Sequence, residues 1–353
     1  RQRQMCIRDS SIMVYNKYIG IIGGTGTIGS IIVKYLLQLQ THFHVLIGGR
    51  RSIKEISMST FYNSERLKYN QMNYNNDVEL DNFCSQCLLV INAVGPSFKI
   101  NDKIALHALR NNCHYIDIGG YGILRDLLKP YEKSIEAQKL CFIIGVGWMP
   151  GISGVFSKTI IETHLNSPEN TNFNIYYGAV DNWSYSSTYD LAASSMGKTR
   201  SYVYSHGKEI QVSPFRYTHH KFFPFIGHKK ICMPSFDEQL TQLATSLKQI
   251  RKISTFIMLN DYISMGKFMF IKIFYKHNLN KATLMLQDDY QRLVKKENKW
   301  GSVICQVSKI EPERKIDTFY YLYTKNNLLY TALPAVITTP VSYTHLTLPT
   351  IRL

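Results

Sequence analysis

The chain has 353 residues, 45% of them hydrophobic and 19% charged, which is enough apolar material for two globular domains and too much for a disordered chain. Its 41 Lys and Arg against 25 Asp and Glu give a formal charge of +16, yet no run of five like charges concentrates it; this argues against a specific nucleic-acid binder and for anionic small-molecule partners. The seven cysteines are odd in number and follow no spaced framework, which excludes a disulfide-stapled secreted module and points to a reducing, cytoplasmic setting.

Both ends read as foreign to the rest. The segments Arg1 to Ser10 and Val341 to Thr350 resemble translated sequencing-adapter read-through, so 1–12 and 341–353 are set apart as non-native tails and a start at Met13 is expected. The apolar stretch after Met13 is short and broken by glycine, unlike a signal peptide. No window reaches the roughly 18 apolar residues of a transmembrane helix. The nearest candidate, Ile253 to Tyr275, is interrupted by Asp261, Lys267 and Lys272 and reads as one or two amphipathic or buried helices.

In chain order, Tyr18–Ile22 reads as a buried strand, Ile28–Leu39 as a helix with an apolar stripe, and Phe43–Ile47 as a second strand. Leu67–Met72, Leu88–Val94, His114–Ile118 and Cys141–Val146 complete six strands. Helices are expected over Lys103–Asn111 and over Leu124–Lys139, the latter broken at Pro130. Continuous apolar strands alternating with helices specify a parallel sheet covered on both faces. The expected class is therefore α/β, with a doubly wound parallel Rossmann sheet over residues 13–150.

After Pro150 the texture changes. Gly151–His164 reads as one more helix, and tyrosine-rich, β-branched strand runs follow at Phe173–Tyr177, Ser201–Tyr204, Trp300–Ile310 and Thr318–Tyr323. Gly207-Lys208 and Lys325-Asn-Asn327 read as hairpin turns. Residues 151–340 are accordingly expected to form an α+β domain of largely antiparallel strands.

Three turns carry the chemistry. Gly24-Thr25-Gly26-Thr27-Ile28-Gly29 is a G-x-G-x-x-G that follows a strand and opens a helix. The first glycine permits the turn, the second lets a pyrophosphate approach the backbone, and the third lets the helix pack on the strand; the helix amino terminus then faces the phosphates. The second strand runs into Gly48-Gly-Arg50-Arg51. An acidic residue there would hydrogen-bond the ribose hydroxyls of NAD, whereas arginine offers a planar fork and a charge to a 2′-phosphate, so NADP(H) is the expected cofactor. Ala93, Val94 and Gly95 leave the fourth strand where small residues let a cofactor pass close to the backbone.

These segments, with His114-Tyr-Ile-Asp-Ile-Gly119 and Met149-Pro-Gly-Ile-Ser153, resemble the saccharopine dehydrogenase-like family. The resemblance implies a Rossmann domain paired with an α+β domain that supplies the substrate site and a dimer contact. It implies an NADP(H)-dependent oxidoreductase acting on a small, anionic substrate with a C–N or carbonyl centre, in a cytoplasmic homodimer. Members that reduce saccharopine-type imines have Asp where Met149 stands, and many have an acid where Tyr121 stands, so the chain looks closer to the family's broad bacterial branch.

An amine-forming reductase needs a proton donor and cations for carboxylates besides its hydride. Asp117, at a strand's carboxyl end, and Tyr121, on the loop after it, are the catalytic candidates. Asp190, Lys198, Arg200 and the pair His219-His220 are weaker ones, and ordinary surface charge explains them as well. Tyr204…Lys208, Tyr217…Lys221 and Tyr321…Lys325 match the Tyr-x-x-x-Lys of short-chain dehydrogenases, but all fall after the sixth strand, so that family is rejected. Cys84-Ser-Gln-Cys87 lacks the second pair that zinc would require, and no metal site is expected. A non-catalytic NADP(H) sensor is the alternative to an enzyme, and the residues beyond the Rossmann part argue against a bare sensor.

Overall fold

The computed structural model describes residues 17–39, 43–52, 64–120, 122–165, 168–196, 201–235, 238–275 and 277–344. They cluster into two compact units. The residues up to Met149 join those from Leu328 onward, and Pro150–Asn327 form the other unit. Of the proposed tails 1–12 and 341–353, residues 1–12 and 345–353 lie outside the described residues, as do Met13 and Tyr121, whereas 341–344 continue a helix.

The first unit is built on six strands, β1 (Tyr18–Ile22), β2 (Val45–Gly49), β3 (Leu67–Gln71), β4 (Cys87–Asn92), β5 (His114–Asp117) and β6 (Phe142–Ile144). Their order in the sheet is β3-β2-β1-β4-β5-β6, and every pairing is parallel. This is the doubly wound order, whose strand sequence reverses between β1 and β4. Helix α1 (Thr27–Gln38) buries Gly29, Ile32, Val33 and Leu36 against one face. On the other face, α2 (Asp77–Cys84) and α3 (Lys103–Arg110) cover Phe83, Ile104, Ala108 and Tyr115, together with Leu124 and Leu128 of α4 (Gly122–Leu128). Such two-sided cover is why the strands read as continuous apolar runs. The start of α2 is marked in the sequence: Asn76 accepts hydrogen bonds from the amides of Val78 and Glu79, and Asp77 and Glu79 occupy the first turn. The break at Pro130 is present, as a 3₁₀ turn at Lys129–Tyr131.

The second unit opens with α5 (Ile152–His164) and holds an eight-stranded sheet. Its main path is β10 (His219–Phe223), β11 (His228–Pro234), β12 (Lys252–Leu259), β7 (Thr171–Val180), β13 (Trp300–Ile310) and β14 (Lys315–Thr324), and the hairpin of β8 (Ser201–Ser205) and β9 (Lys208–Val212) attaches to β12. Every pairing is antiparallel except β7 with β12. The core of this sheet gathers Tyr176, Phe223, Phe256, Leu293, Trp300 and Ile304. Helices α6 (Tyr185–Met196), α7 (Tyr262–Phe274) and α8 (Leu279–Lys296) belong to this unit, and Asp261 caps α7 by accepting from the Ser264 amide.

Several expectations are corrected here. Ile253–Tyr275 is not purely helical: its first part is β12, which pairs with β7 and β11 and is buried from Ile253 to Leu259. An apolar run of that length is ambiguous between strand and helix, and pairing on both edges decides it. Lys325-Asn-Asn327 is not a hairpin turn. The β13–β14 hairpin closes between Glu311 and Arg314, and Asn327 starts the closing helix α9 (Asn327–Thr344), with its amide donating to the Asp181 carboxylate and the Trp300 carbonyl. Residues to 340 were assigned to the second domain, but Ala332, Ala335 and Val336 of α9 are buried among Ile32, Val33, Ile47 and Ile91 of the first unit. The β8–β9 turn does form, with His206 and Gly207 at positive φ (49° and 74°) as a tight hairpin requires, and Lys208 begins β9.

Candidate functional site

The three turns singled out in the sequence lie at the carboxyl ends of β2, β1 and β4, which are neighbours in the sheet. The turn after β1 is set by Gly23, whose φ is +83°, a backbone state that disfavours a side chain. The motif's first glycine, Gly24, serves close packing instead: a Cβ there would come within 2.8 Å of the Ile47 side chain. At Gly29 a Cβ would collide with the carbonyl oxygen of Gly23 and the Cα of Gly24, so this glycine sets how closely α1 approaches the turn. Gly26 differs from both. It is exposed, and the Gly23 oxygen, at 3.1 Å, is all that a Cβ would meet.

That open side faces the start of α1. No side chain caps the helix, its first turn holds no acid, and the Ser30 amide is the first to bond back, to the Gly26 oxygen. The N–H groups of Thr27, Ile28 and Gly29 lie in the first turn, where helix geometry leaves them without an intrahelical acceptor, so they are directed outward with the positive end of the helix dipole behind them. This is the donor set that a pyrophosphate requires, and the absence of a side chain on Gly26 leaves it room. Thr25 and Thr27 frame the turn, while Ile28 packs inward beside the α1 core residues.

At the β2 exit, Arg50 and Arg51 are both exposed, but they are not equivalent. Arg51 extends its guanidinium to the glycine turn, donating from Nη2 to the Thr25 carbonyl at 2.7 Å. Arg50 is held through its backbone, its carbonyl accepting from Gln71 Nε2 at 3.4 Å. At the β4 exit, Asn92 Oδ1 accepts from the Val94 amide at 3.0 Å, and the Ala93 amide bonds the Ile22 carbonyl at 2.9 Å. A Cβ on Gly23 would touch Val94 Cγ2 at 2.9 Å and Ala93 O at 3.0 Å, so residues 93–94 pass directly across the glycine turn. Gly95 leads from there into a cis bond with Pro96.

Asp117 closes β5 and is wholly buried. Its Oδ2 accepts from Asn92 Nδ2 at 2.8 Å and from the Tyr115 hydroxyl at 2.5 Å, tying the ends of β4 and β5 together. Its Oδ1 is buried without a hydrogen bond. Burial pushes the carboxyl above its usual range, and the Tyr115 and Asn92 bonds and the nearby amides of Gly120 and Gly119 oppose the shift. A shallow cleft adjoins it, lined by Asn92, Ser97, Asn101, Asp117, Gly120 and Ile123 among others.

Other candidates fall elsewhere. Tyr121, Lys198 and Arg200 lie outside the described residues, and Asp190 is buried within the second unit. His219 packs edge-on against Tyr176 and Phe256 with Nδ1 2.9 Å from the Tyr217 carbonyl, and His220 Nε2 lies 2.9 Å from the Tyr262 hydroxyl; both are occupied in packing. Cys84 and Cys87 are buried, and burial raises both thiols, as it raises Cys113 to about 11; Cys113 Sγ donates to the carbonyls of both. No group of three His, Cys, Asp or Glu among the described residues could hold a metal ion. No helix among them is long and apolar enough to cross a membrane. The sequence reading missed Tyr115 and Tyr69; both are tyrosines on strands flanking the turns, and strand register alone shows which backbone groups their hydroxyls reach.

Fold and turn geometry together define a Rossmann-type dinucleotide-binding protein. Residues 19–141 match the family described as the saccharopine dehydrogenase NADP binding domain, so the first unit carries a domain similar to that family and binds NADP(H). No curated protein matches it. Among solved structures, it is similar to apo saccharopine dehydrogenase (L-Glu forming) from Saccharomyces cerevisiae, with 14% identity, a TM-score of 0.62, and coverage of 93% of this chain and 91% of that one. At that identity the likeness speaks to the fold. A DAP dehydrogenase from C. glutamicum, solved in complex with DAP, shows 10% identity and a TM-score of 0.44 over 90% of this chain and 86% of its own.

Proposed function

We propose that the protein is an NADP(H)-dependent oxidoreductase that acts on a small anionic molecule at a C–N or carbonyl centre. The observation that carries this reading is the pairing at the glycine turn: an uncapped helix amino terminus behind the bare Gly26, with the Arg51 guanidinium held on the Thr25 carbonyl beside it. The amides at Thr27, Ile28 and Gly29 would hold the pyrophosphate, Arg51 and then Arg50 the 2′-phosphate, and the backbone of Ala93, Val94 and Gly95 would border the cofactor's passage to the β4 end. The bound cofactor supplies the hydride; the chain supplies orientation, charge and a proton.

Asp117 fits the role of proton holder. Its Oδ2 already receives two donors, so a proton on the carboxyl sits on Oδ1, the oxygen left without a partner, and the residue borders the pocket. Tyr121 remains a second donor candidate on the same loop. The second unit is read as the substrate and dimer domain, and the six described cysteines, all free, suit a bacterial cytoplasm.

Titration with NADPH and with NADH, followed by protein fluorescence, tests the cofactor assignment. NADPH should bind more tightly, and Arg51→Ala should weaken NADPH by about tenfold or more while leaving NADH unchanged, the loss expected for one charge-assisted contact. Binding of neither nucleotide sinks the reading. Turnover is tested with a panel of keto acids paired with amines in the presence of NADPH; oxidation of NADPH with none of them would leave a binding protein in place of an enzyme.

A further inference from the structure

Tyr69 stands outside every motif, yet its hydroxyl sits at the centre of the β2 exit. It lies on β3 opposite Ile47 of β2, so its side chain shares the face of the sheet that meets the glycine turn. From there the hydroxyl bonds the Gly49 carbonyl at 3.0 Å and, more closely, the Arg51 carbonyl. The backbone between these two carbonyls therefore curls around one phenol oxygen. Gly49 lacks a side chain where one would press on that oxygen, since a Cβ there would stand 3.1 Å from the Tyr69 hydroxyl and 3.4 Å from Thr25 Oγ1. Gln71, two residues along β3, takes the carbonyl between them, that of Arg50. The outcome of the curl is the direction of Arg51: its guanidinium comes back over the glycine turn and bonds Thr25.

We propose that Tyr69 is a positioning residue for NADP(H) selectivity, its hydroxyl fixing the curled β2 exit so that the Arg51 fork stands over the glycine turn before the nucleotide arrives. The proposal rests on the NADP(H) reading of this site. A guanidinium on an exposed loop otherwise loses rotamer and backbone freedom on binding, and a loop ordered in advance spares that cost. Loss of the hydroxyl frees the loop but leaves the helix terminus and the glycine turn in place. The effect should therefore fall on the 2′-phosphate alone.

The test is a double-mutant cycle of Tyr69→Phe and Arg51→Ala, read as dissociation constants for NADPH, NADH and adenosine 2′,5′-bisphosphate, with the melting temperature of each variant. Tyr69→Phe is expected to weaken NADPH and the bisphosphate by about three- to tenfold, the range of one hydrogen bond, and to leave NADH within twofold. In the Arg51→Ala background the same change should have no further effect. Unchanged NADPH affinity, equal weakening of NADH, or a loss that persists without Arg51 would each overturn the proposal. If Tyr69→Phe melts many degrees lower, Gln71→Ala, which releases the Arg50 carbonyl, takes its place: it should weaken NADPH selectively by a smaller factor, and no change would overturn the proposal. A wild-type protein that binds NADH but not NADPH, or neither, would remove the cofactor assignment itself; one that binds NADPH and ignores Tyr69→Phe would remove the proposal alone.

Discussion

The two sheets bury their strands by different routes, and one of them is far easier to read. In the first unit each strand is parallel to its neighbours and is followed by a helix or a marked turn, so β1, β4 and β5 announce themselves as apolar runs bounded by glycine or asparagine. In the second unit, β12 has β7 on one edge in parallel and β11 and β8 on the other in antiparallel, and nothing local marks that change. The first sheet puts its information into short turns at its strand ends. The second puts it into long-range pairing, which a linear pattern does not display.

The comparison can be broken by asking where each unit is most sensitive. The largest effect is expected in the second unit at Lys230, which is 1% exposed, bonds Asn260 at 2.6 Å and Glu297 at 3.2 Å, and lies over the Trp300 ring. Lys230→Ala should cost about 3–5 kcal/mol in chemical denaturation, because it leaves Glu297 half-buried without its cation. Adding Glu297→Gln should recover a large part of that loss; a double variant no better than the single would mean that packing, and not charge, fixes the site.

Next comes the first unit's turn. Gly29→Ala should destabilise by about 1–3 kcal/mol, since its methyl has only backbone to displace, whereas Gly26→Ala should keep the melting temperature and lose NADPH affinity. Equal melting temperatures for the two variants would erase the distinction between the packing glycine and the ligand glycine.

A smaller effect belongs to the α7 cap. Asp261 accepts from the Ser264 amide and pairs with Arg292 at 2.7 Å, and its carboxyl is drawn down to about 2, the Arg292 hydrogen bond leading the lowering against a larger opposing burial. Asp261→Ala should cost about 1 kcal/mol at neutral pH. A carboxyl held low stabilises the fold above its unfolded value and loses that contribution as pH falls through about 2, so the gap between wild type and variant should close in acid.

The smallest signal is a slope. Asp117 is raised, so the proton it holds in the fold is lost more readily by the unfolded chain; its contribution is full in acid and declines as pH rises past the unfolded value of about 3.9. Asp117→Asn should gain on the wild type steadily across that rise in denaturation curves. A constant difference at all pH values would show that the carboxyl titrates alike in the folded and unfolded chain.

Much of the candidate site was legible because it is local. The glycine turn, the arginine pair and the small residues after β4 are each a short unbroken stretch at a strand end, which a linear pattern displays. Even so, the positive-φ position fell to Gly23 and not to the first glycine of the motif, and Arg51 rather than Arg50 reaches the turn. Both details depend on how the strand ends, a matter of one residue that patterns resolve poorly. The Asn92–Asp117–Tyr115 network and the Tyr69 clasp were hidden for another reason: each joins different strands, and only their register brings the atoms together. Asn327 shows the same lesson in the second unit, where an apparent turn residue is a buried amide bonded to Asp181, distant in sequence.

The closing helix has a consequence in time. Ala332, Ala335 and Val336 belong to the same apolar cluster as Ile32 and Val33 of α1, so the sheet that begins at Tyr18 receives its last cover from residues made some three hundred positions later. While the ribosome is still translating the second unit, the nucleotide-binding sheet stands with that part of its face bare. The newly made amino-terminal domain is thus an unfinished object whose aggregation risk falls only when α9 arrives.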